Sequence, residues 1–212
     1  MYIVRSSLTA AALLLTLTGA ARADLAADAE EHGDIDVAVT LDSTAQSGRA
    51  SATVRIHADR RIVWSLLTSC TEAVRFVPGL VDCAVVLTAP DHSWQLIRNV
   101  IDYSWYVPRL TFVFRADYRY PERISIERVS GDLKVLTGAW NLEQDGDFTI
   151  AHYSLALAPG VWVPHWLVKV ALRHDLPKML RALRSLAEST SPAESTSPPD
   201  SASPPESTRD GT

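Results

Sequence analysis

The 212-residue chain is short of the residue types that carry most recognisable chemistry. It has two cysteines, and its six histidines (32, 57, 92, 152, 165 and 174) form no HxxxH, HExxH or Cys–His spacing suited to a metal. It contains neither a G-x-S-x-G elbow nor a glycine-rich phosphate loop. No motif therefore calls for a catalytic residue, a metal or a cofactor. Cations are also in the minority, with 20 Lys and Arg against 25 Asp and Glu. A nucleic-acid binder would show a clustered basic face, so that class is excluded. Purely electrostatic attachment to anionic lipid is disfavoured for the same reason.

The two ends of the chain read as outside the fold. Met1 to Arg5 is a short basic region, Leu8 to Thr18 is apolar, and Ala21-Arg22-Ala23 fits a small-x-small cleavage pattern. This apolar run is shorter than the ~20 residues a bilayer span needs. Residues 1–23 are expected to be a signal peptide cleaved after Ala23, making the mature chain periplasmic or secreted. Cleavage removes Arg5 and Arg22, so the 20 basic residues fall to 18 against 25 acidic ones, a formal charge of −7. Residues 189–212 are almost wholly Ser, Thr, Pro, Glu and Asp, without the apolar surface needed to offset ordering entropy, and read as a disordered tail.

What lies between is enough for one domain with one sizeable core. Residues 24–49 form an N-terminal extension in which Ile35 to Leu41 alternates as an extra strand, able to pair with Ala50 to His57. Asp59 caps a short helix burying Val63, Trp64, Leu66 and Leu67, and a second short helix runs from Glu72 to Phe76. Strands are expected at Cys83–Thr88, Ser93–Ile101, Leu110–Tyr120, Arg123–Val129, Val135–Leu142 and Phe148–Leu157. In the third of these, Leu110, Phe112, Phe114, Ala116 and Tyr118 share one face, and the other face is mostly polar. The last folded stretch, Pro159 to Glu188, carries Leu167, Val170, Ala171, Leu176, Met179, Leu180, Leu183 and Leu186 at helical spacing. Asp175 is placed to cap a second helical run, with Pro177 in its first turn. An α+β fold follows, in which an antiparallel sheet curls around one long amphipathic helix.

Four segments in this order resemble the START/polyketide-cyclase superfamily of helix-grip proteins, near its coenzyme Q-binding and polyketide cyclase/dehydrase members. They are Ala58–Thr68, the Phe76-Val77-Pro78-Gly79-Leu80 turn, Leu136–Leu142, and Pro159 through Leu183. The resemblance covers about residues 50–187, and bounds a helix-grip domain at 50–188. It implies a sheet of about seven antiparallel strands gripping the C-terminal helix around a hydrophobic cavity. It does not imply one chemistry, because members bind, transfer, cyclise or hydrolyse different apolar molecules.

Two cysteines thirteen residues apart in an exported chain point to a Cys70–Cys83 disulfide, two buried thiols being the alternative. Periodicity places Phe112, Phe114, Trp140, Val170, His174 and Met179 on the cavity. Trp162 and Trp166, at the entry to the last helix, are candidates for a gate or a transient membrane contact, against simple packing. His152, Tyr153, Arg98, Arg115 and Asp117 are the residues able to offer acid–base groups inside a cavity; Arg115 and Asp117 alternate onto a solvated face, and His152 reads as a satisfied sheet residue. The leading expectation is an exported protein that holds, and moves, a lipid, sterol, quinone or polyketide-like molecule. A cyclase/dehydrase-type enzyme and an interaction module for another envelope protein stand beside it.

Overall fold

The computed structural model describes residues 35–44, 46–103 and 108–191. The N-terminal 34 residues, Ala45, Ser104 to Val107 and the tail beyond Ser191 lie outside the described residues, so the expected signal peptide and most of the expected tail fall there.

The eight strands are β1 (Ile35–Leu41), β2 (Gly48–Ile56), β3 (Leu80–Thr88), β4 (Trp94–Ile101), β5 (Leu110–Arg119), β6 (Arg123–Gly131), β7 (Leu133–Asp145) and β8 (Phe148–Pro159). All pair antiparallel in one sheet of order β1-β2-β8-β7-β6-β5-β4-β3. Seven of them are those implied by the family resemblance. The eighth, β1, is the extra strand of the N-terminal extension. β7 and β8 run longer than hydrophobic alternation alone marks, because their ends continue to exchange backbone bonds past the last apolar residue.

Helices α1 (Arg60–Leu67) and α2 (Cys70–Phe76) join β2 to β3. Asp59 caps α1 by accepting from the Arg61 N–H, and Ser69 caps α2 by accepting from Glu72 N–H. The chain leaves α2 through Pro78 and Gly79, the latter at φ +74°, a left-handed conformation open to glycine without a Cβ penalty. A disulfide between Cys70 and Cys83 ties the start of α2 to β3, with Cα atoms 5.2 Å apart.

The last helix is continuous from α3 (His165–Val170) through a widened π turn (Ala171–Asp175) into α4 (Leu176–Thr190). The expected second helix start is therefore corrected. Asp175 has helical backbone angles and makes no capping bond, since helical turns already precede it. Pro177 is tolerated nonetheless, because the π winding has loosened the backbone bonding just ahead of it. Leu172, Leu176, Leu180, Leu183 and Ala187 recur every three or four residues and are all buried. Opposite them on β2 stand Gly48, Ala50 and Ala52, small enough for the helix to come close. A Cβ on Gly48 would meet Leu172 Cδ1 at 2.4 Å.

Closing a loop with a sequence separation of 13 restricts the unfolded chain and stabilises by roughly 3 kcal/mol on the loop-entropy argument. Replacing both Cys70 and Cys83 by Ser is expected to lower the urea unfolding free energy by about that amount. Thiol titration of the unfolded, unreduced protein should find no reactive thiol; finding two would contradict the cross-link.

Candidate ligand cavity

The helix does not lie flat on the sheet along its whole length. One face of it, with Leu172, Leu180 and Leu183, is buried on the side of β1 and β2, whereas the face with Val168, Ala171, Asp175 and Met179 looks across a gap toward β4 to β8. The space left is a cavity of about 280 Å³. Leu67, Ala73 and Phe76 close it from α1 and α2, and Val168, Ala171, Asp175 and Met179 close it from the long helix. Ile97, Asn99 and Ile101 of β4, Phe112 and Phe114 of β5, Trp140 of β7, and Tyr153, Leu155 and Leu157 of β8 form its floor. Alternate residues of each strand reach it, as the pleat requires. The buried apolar residues form two clusters, and Phe114, Ile126 and Leu155, which pack against both, all line the hollow. These three keep exposed surface although they face inward, because they face empty space.

Of the residues expected on the cavity, Phe112, Phe114, Trp140 and Met179 line it, and Val170 and His174 do not. Each of these two precedes a lining residue by one position, and successive residues stand about 100° apart around a helix. His174 points outward, its side chain 70% exposed, with Nδ1 2.9 Å from Asp175 Oδ1. Trp140 stacks on Tyr153 at 4.1 Å, so it serves as both packing and wall. Both cysteines line the cavity, placing the disulfide in its wall.

The wall also holds polar groups that hydrophobic periodicity does not reveal. Asn99 sits at the inward position between Ile97 and Ile101, and Asp175 interrupts the inward stripe of Val168, Ala171 and Met179. A helical wheel would have shown the latter; only the reading of Asp175 as a cap hid it. Asn99 Oδ1 and Asp175 Oδ2 are buried without a hydrogen-bond partner. Leaving such a group unsatisfied costs about 1–3 kcal/mol, more for a charged one. The Tyr103 hydroxyl faces Asp175 without a hydrogen bond of ordinary geometry to Oδ2. Burial first, and then the Asp175 charge, holds the Tyr103 phenol far above its ordinary range. Burial does the same to Tyr153, and it pushes Tyr118 up to about 12.

The other acid–base candidates are engaged elsewhere. His152 bonds Thr53 Oγ1 at 3.0 Å on the sheet face opposite Tyr153. Arg115 clasps Asp117 with three bonds and lies over Trp94, and Arg98 pairs with Asp82. Among the described residues no group of His, Cys, Asp and Glu could hold a metal. Trp162 is 76% exposed, and Val161 and Trp166 are also exposed. They adjoin the cavity end lined by Leu133, Pro159 and Leu167.

An antiparallel sheet gripping a C-terminal helix over an apolar hollow defines the START-like class of hydrophobic-ligand-binding folds. The family described as "Polyketide cyclase / dehydrase and lipid transport" matches residues 56–184, and the chain belongs to it. Solved structures agree on the fold. A STAR-related lipid transfer protein from Xanthomonas axonopodis shares 19% identity over 72% of this chain and 93% of that one, with a TM-score of 0.61. The lipid transfer and protein localization domain of human StarD13 shares 15% over 81% and 98%, at 0.59. The Streptomyces aromatase/cyclase Zhui shares 13% over 73% and 94%, at 0.54. No match is found among curated proteins.

The three perturbed tyrosines set an alkaline limit on stability. A phenol whose folded pKa is raised binds its proton more tightly when folded. Its contribution is complete below the unfolded value of 10.0 and is lost as pH rises through the folded value, about 12 for Tyr118. The urea midpoint should therefore fall from pH 10 upward, and Tyr153→Phe should make that fall shallower; an unchanged slope would show that Tyr153 is not buried as described.

Proposed function

We propose that this protein binds an apolar small molecule in the cavity and carries it between apolar environments outside the cytoplasm. The observation behind this reading is the hollow itself: a space of about 280 Å³ with a predominantly apolar wall, bounded on one side by the C-terminal helix. Burial supplies the affinity, since apolar ligand surface leaves water at roughly 25 cal/mol per Å². The volume is near the lower end of small-molecule pockets, which fits one slender or compact ligand. Export is supported by the N-terminal sequence and by the disulfide, a bond that persists in oxidising compartments. Trp162 and Trp166 would meet the membrane interface while ligand passes, as exposed tryptophans beside Val161 and Pro164 are suited to do.

A cyclase- or dehydrase-type enzyme is the second reading, favoured by one observation: Asp175 and Tyr103 adjoin in the cavity. The Tyr103 phenol is displaced upward, away from the range in which a group exchanges protons readily near neutral pH. Binding is therefore the better supported of the two.

A cavity-filling change tests the reading. Met179→Trp should weaken displacement of a fluorescent apolar dye at least ~10-fold (~1.4 kcal/mol) while leaving the unfolding midpoint the same or higher. Retained affinity would place the ligand elsewhere. Trp162→Ala should slow transfer of the dye between vesicles with dye affinity unchanged; an unaltered transfer rate would remove the membrane role.

A further inference from the structure

We infer that the cavity selects apolar molecules whose polar end donates a hydrogen bond, and that Asp175 is the group that receives it. This rests on the reading of the cavity as a ligand site and specifies the ligand's chemistry. Asp175 is 9% exposed and sits in the cavity wall between Ala171 and Met179. Its two oxygens are unequal. Oδ1 is held from outside by His174 Nδ1 at 2.9 Å, and Oδ2, which the Tyr103 hydroxyl faces, has no hydrogen bond of ordinary geometry. The carboxylate ends the π turn, a winding found within α-helices frequently at functional sites. Asn99 repeats the pattern on the sheet side, with an orphaned Oδ1 in the wall across from Cys83 and Phe112. Both unsatisfied atoms are acceptors. The groups able to answer them from within the ligand are an O–H or an N–H.

The wall also indicates what is excluded. Among the described residues it contains no Lys, Arg or His, and Asp175 is its single carboxylate. A fatty acid would bring a second carboxylate against Asp175 with no cation between them. An ether or ester of the same shape would bring only acceptors, leaving Oδ2 as it is now. An alcohol satisfies Oδ2 by donating its O–H. A site that bonds a hydroxyl strongly rejects the analogue lacking it, because its own polar groups are then stranded.

The test uses the full chain and four medium-chain ligands of matched length competing with a fluorescent apolar dye: a primary alcohol, its methyl-ether isomer, a primary amine and a carboxylate. The alcohol should bind at least tenfold tighter than the ether, and the carboxylate should be weaker than both. The amine arm separates a neutral from a cationic donor, and tight binding by either donor supports the inference. Asp175→Leu should bring alcohol and ether within about twofold while leaving the ether's affinity equal or improved, which a collapsed cavity would not give. Equal binding of alcohol and ether by the unaltered chain overturns the donor rule and leaves the cavity reading standing. Failure of all four ligands and of the dye overturns both. The ligand series on the unaltered chain decides the matter even where the Asp175→Leu protein does not fold.

Discussion

The seating of one face of the last helix against β2 is the contact from which the rest of the molecule follows. Gly48, Ala50 and Ala52 present almost no side chain there, so Leu172, Leu180 and Leu183 come down to full burial. The inner faces of β5, β7 and β8 instead carry Phe112, Phe114, Trp140 and Tyr153, which line the cavity opposite Val168, Ala171 and Met179 of the helix. The helix meets the sheet along one face and leaves a gap along the other. The hollow is thus a consequence of residue size along the sheet, and requires no special motif. This explains how a family can keep its fold while its ligands vary: changing the bulk of a few inward residues reshapes the gap without unseating the helix.

The strands and their faces were legible because one side of the sheet is wet and the other is not. Alternation in β5 placed Leu110, Phe112 and Phe114 correctly, and the same period would have placed Asn99 with Ile97 and Ile101. The helix was legible as an amphipath but not in its winding. Asp175 followed by Pro177 has the composition of a helix start, and local rules favour a cap there. Tertiary packing overrode them: the buried stripe on both sides of Asp175 keeps the helix continuous, and the π turn absorbs the conflict. Val170 and His174 stand one residue from the true cavity line, an error of about 100° that apolar character alone could not prevent.

The polar end of the site was harder to read for a different reason. Periodicity identifies apolar residues that share a face, and a lone Asn or Asp on that face looks like an interruption. Only coordinates show that Asp175 Oδ2 and Asn99 Oδ1 are buried and unanswered. The disulfide required nothing of the kind. Two cysteines allow only one pairing within the chain, and α2 with the Pro78–Gly79 turn between them brings Cys70 beside Cys83 in the cavity wall.

A cavity of this size has an energetic consequence. At about 24 cal/mol per Å³, a void of about 280 Å³ costs at most ~7 kcal/mol relative to a filled core. That is comparable with the whole stability of many domains, ~5–15 kcal/mol. A chain that carries this deficit needs its remaining contacts to be unusually complete. The fully buried Leu180 and Leu183 and the Cys70–Cys83 cross-link in the cavity wall contribute to that. A ligand that fills the gap restores the missing contacts, so occupancy and stability must rise together. The same cavity that costs stability is what gives a guest its affinity. The unanswered acceptors in its wall act likewise, since their cost falls only on a protein whose guest lacks a donor.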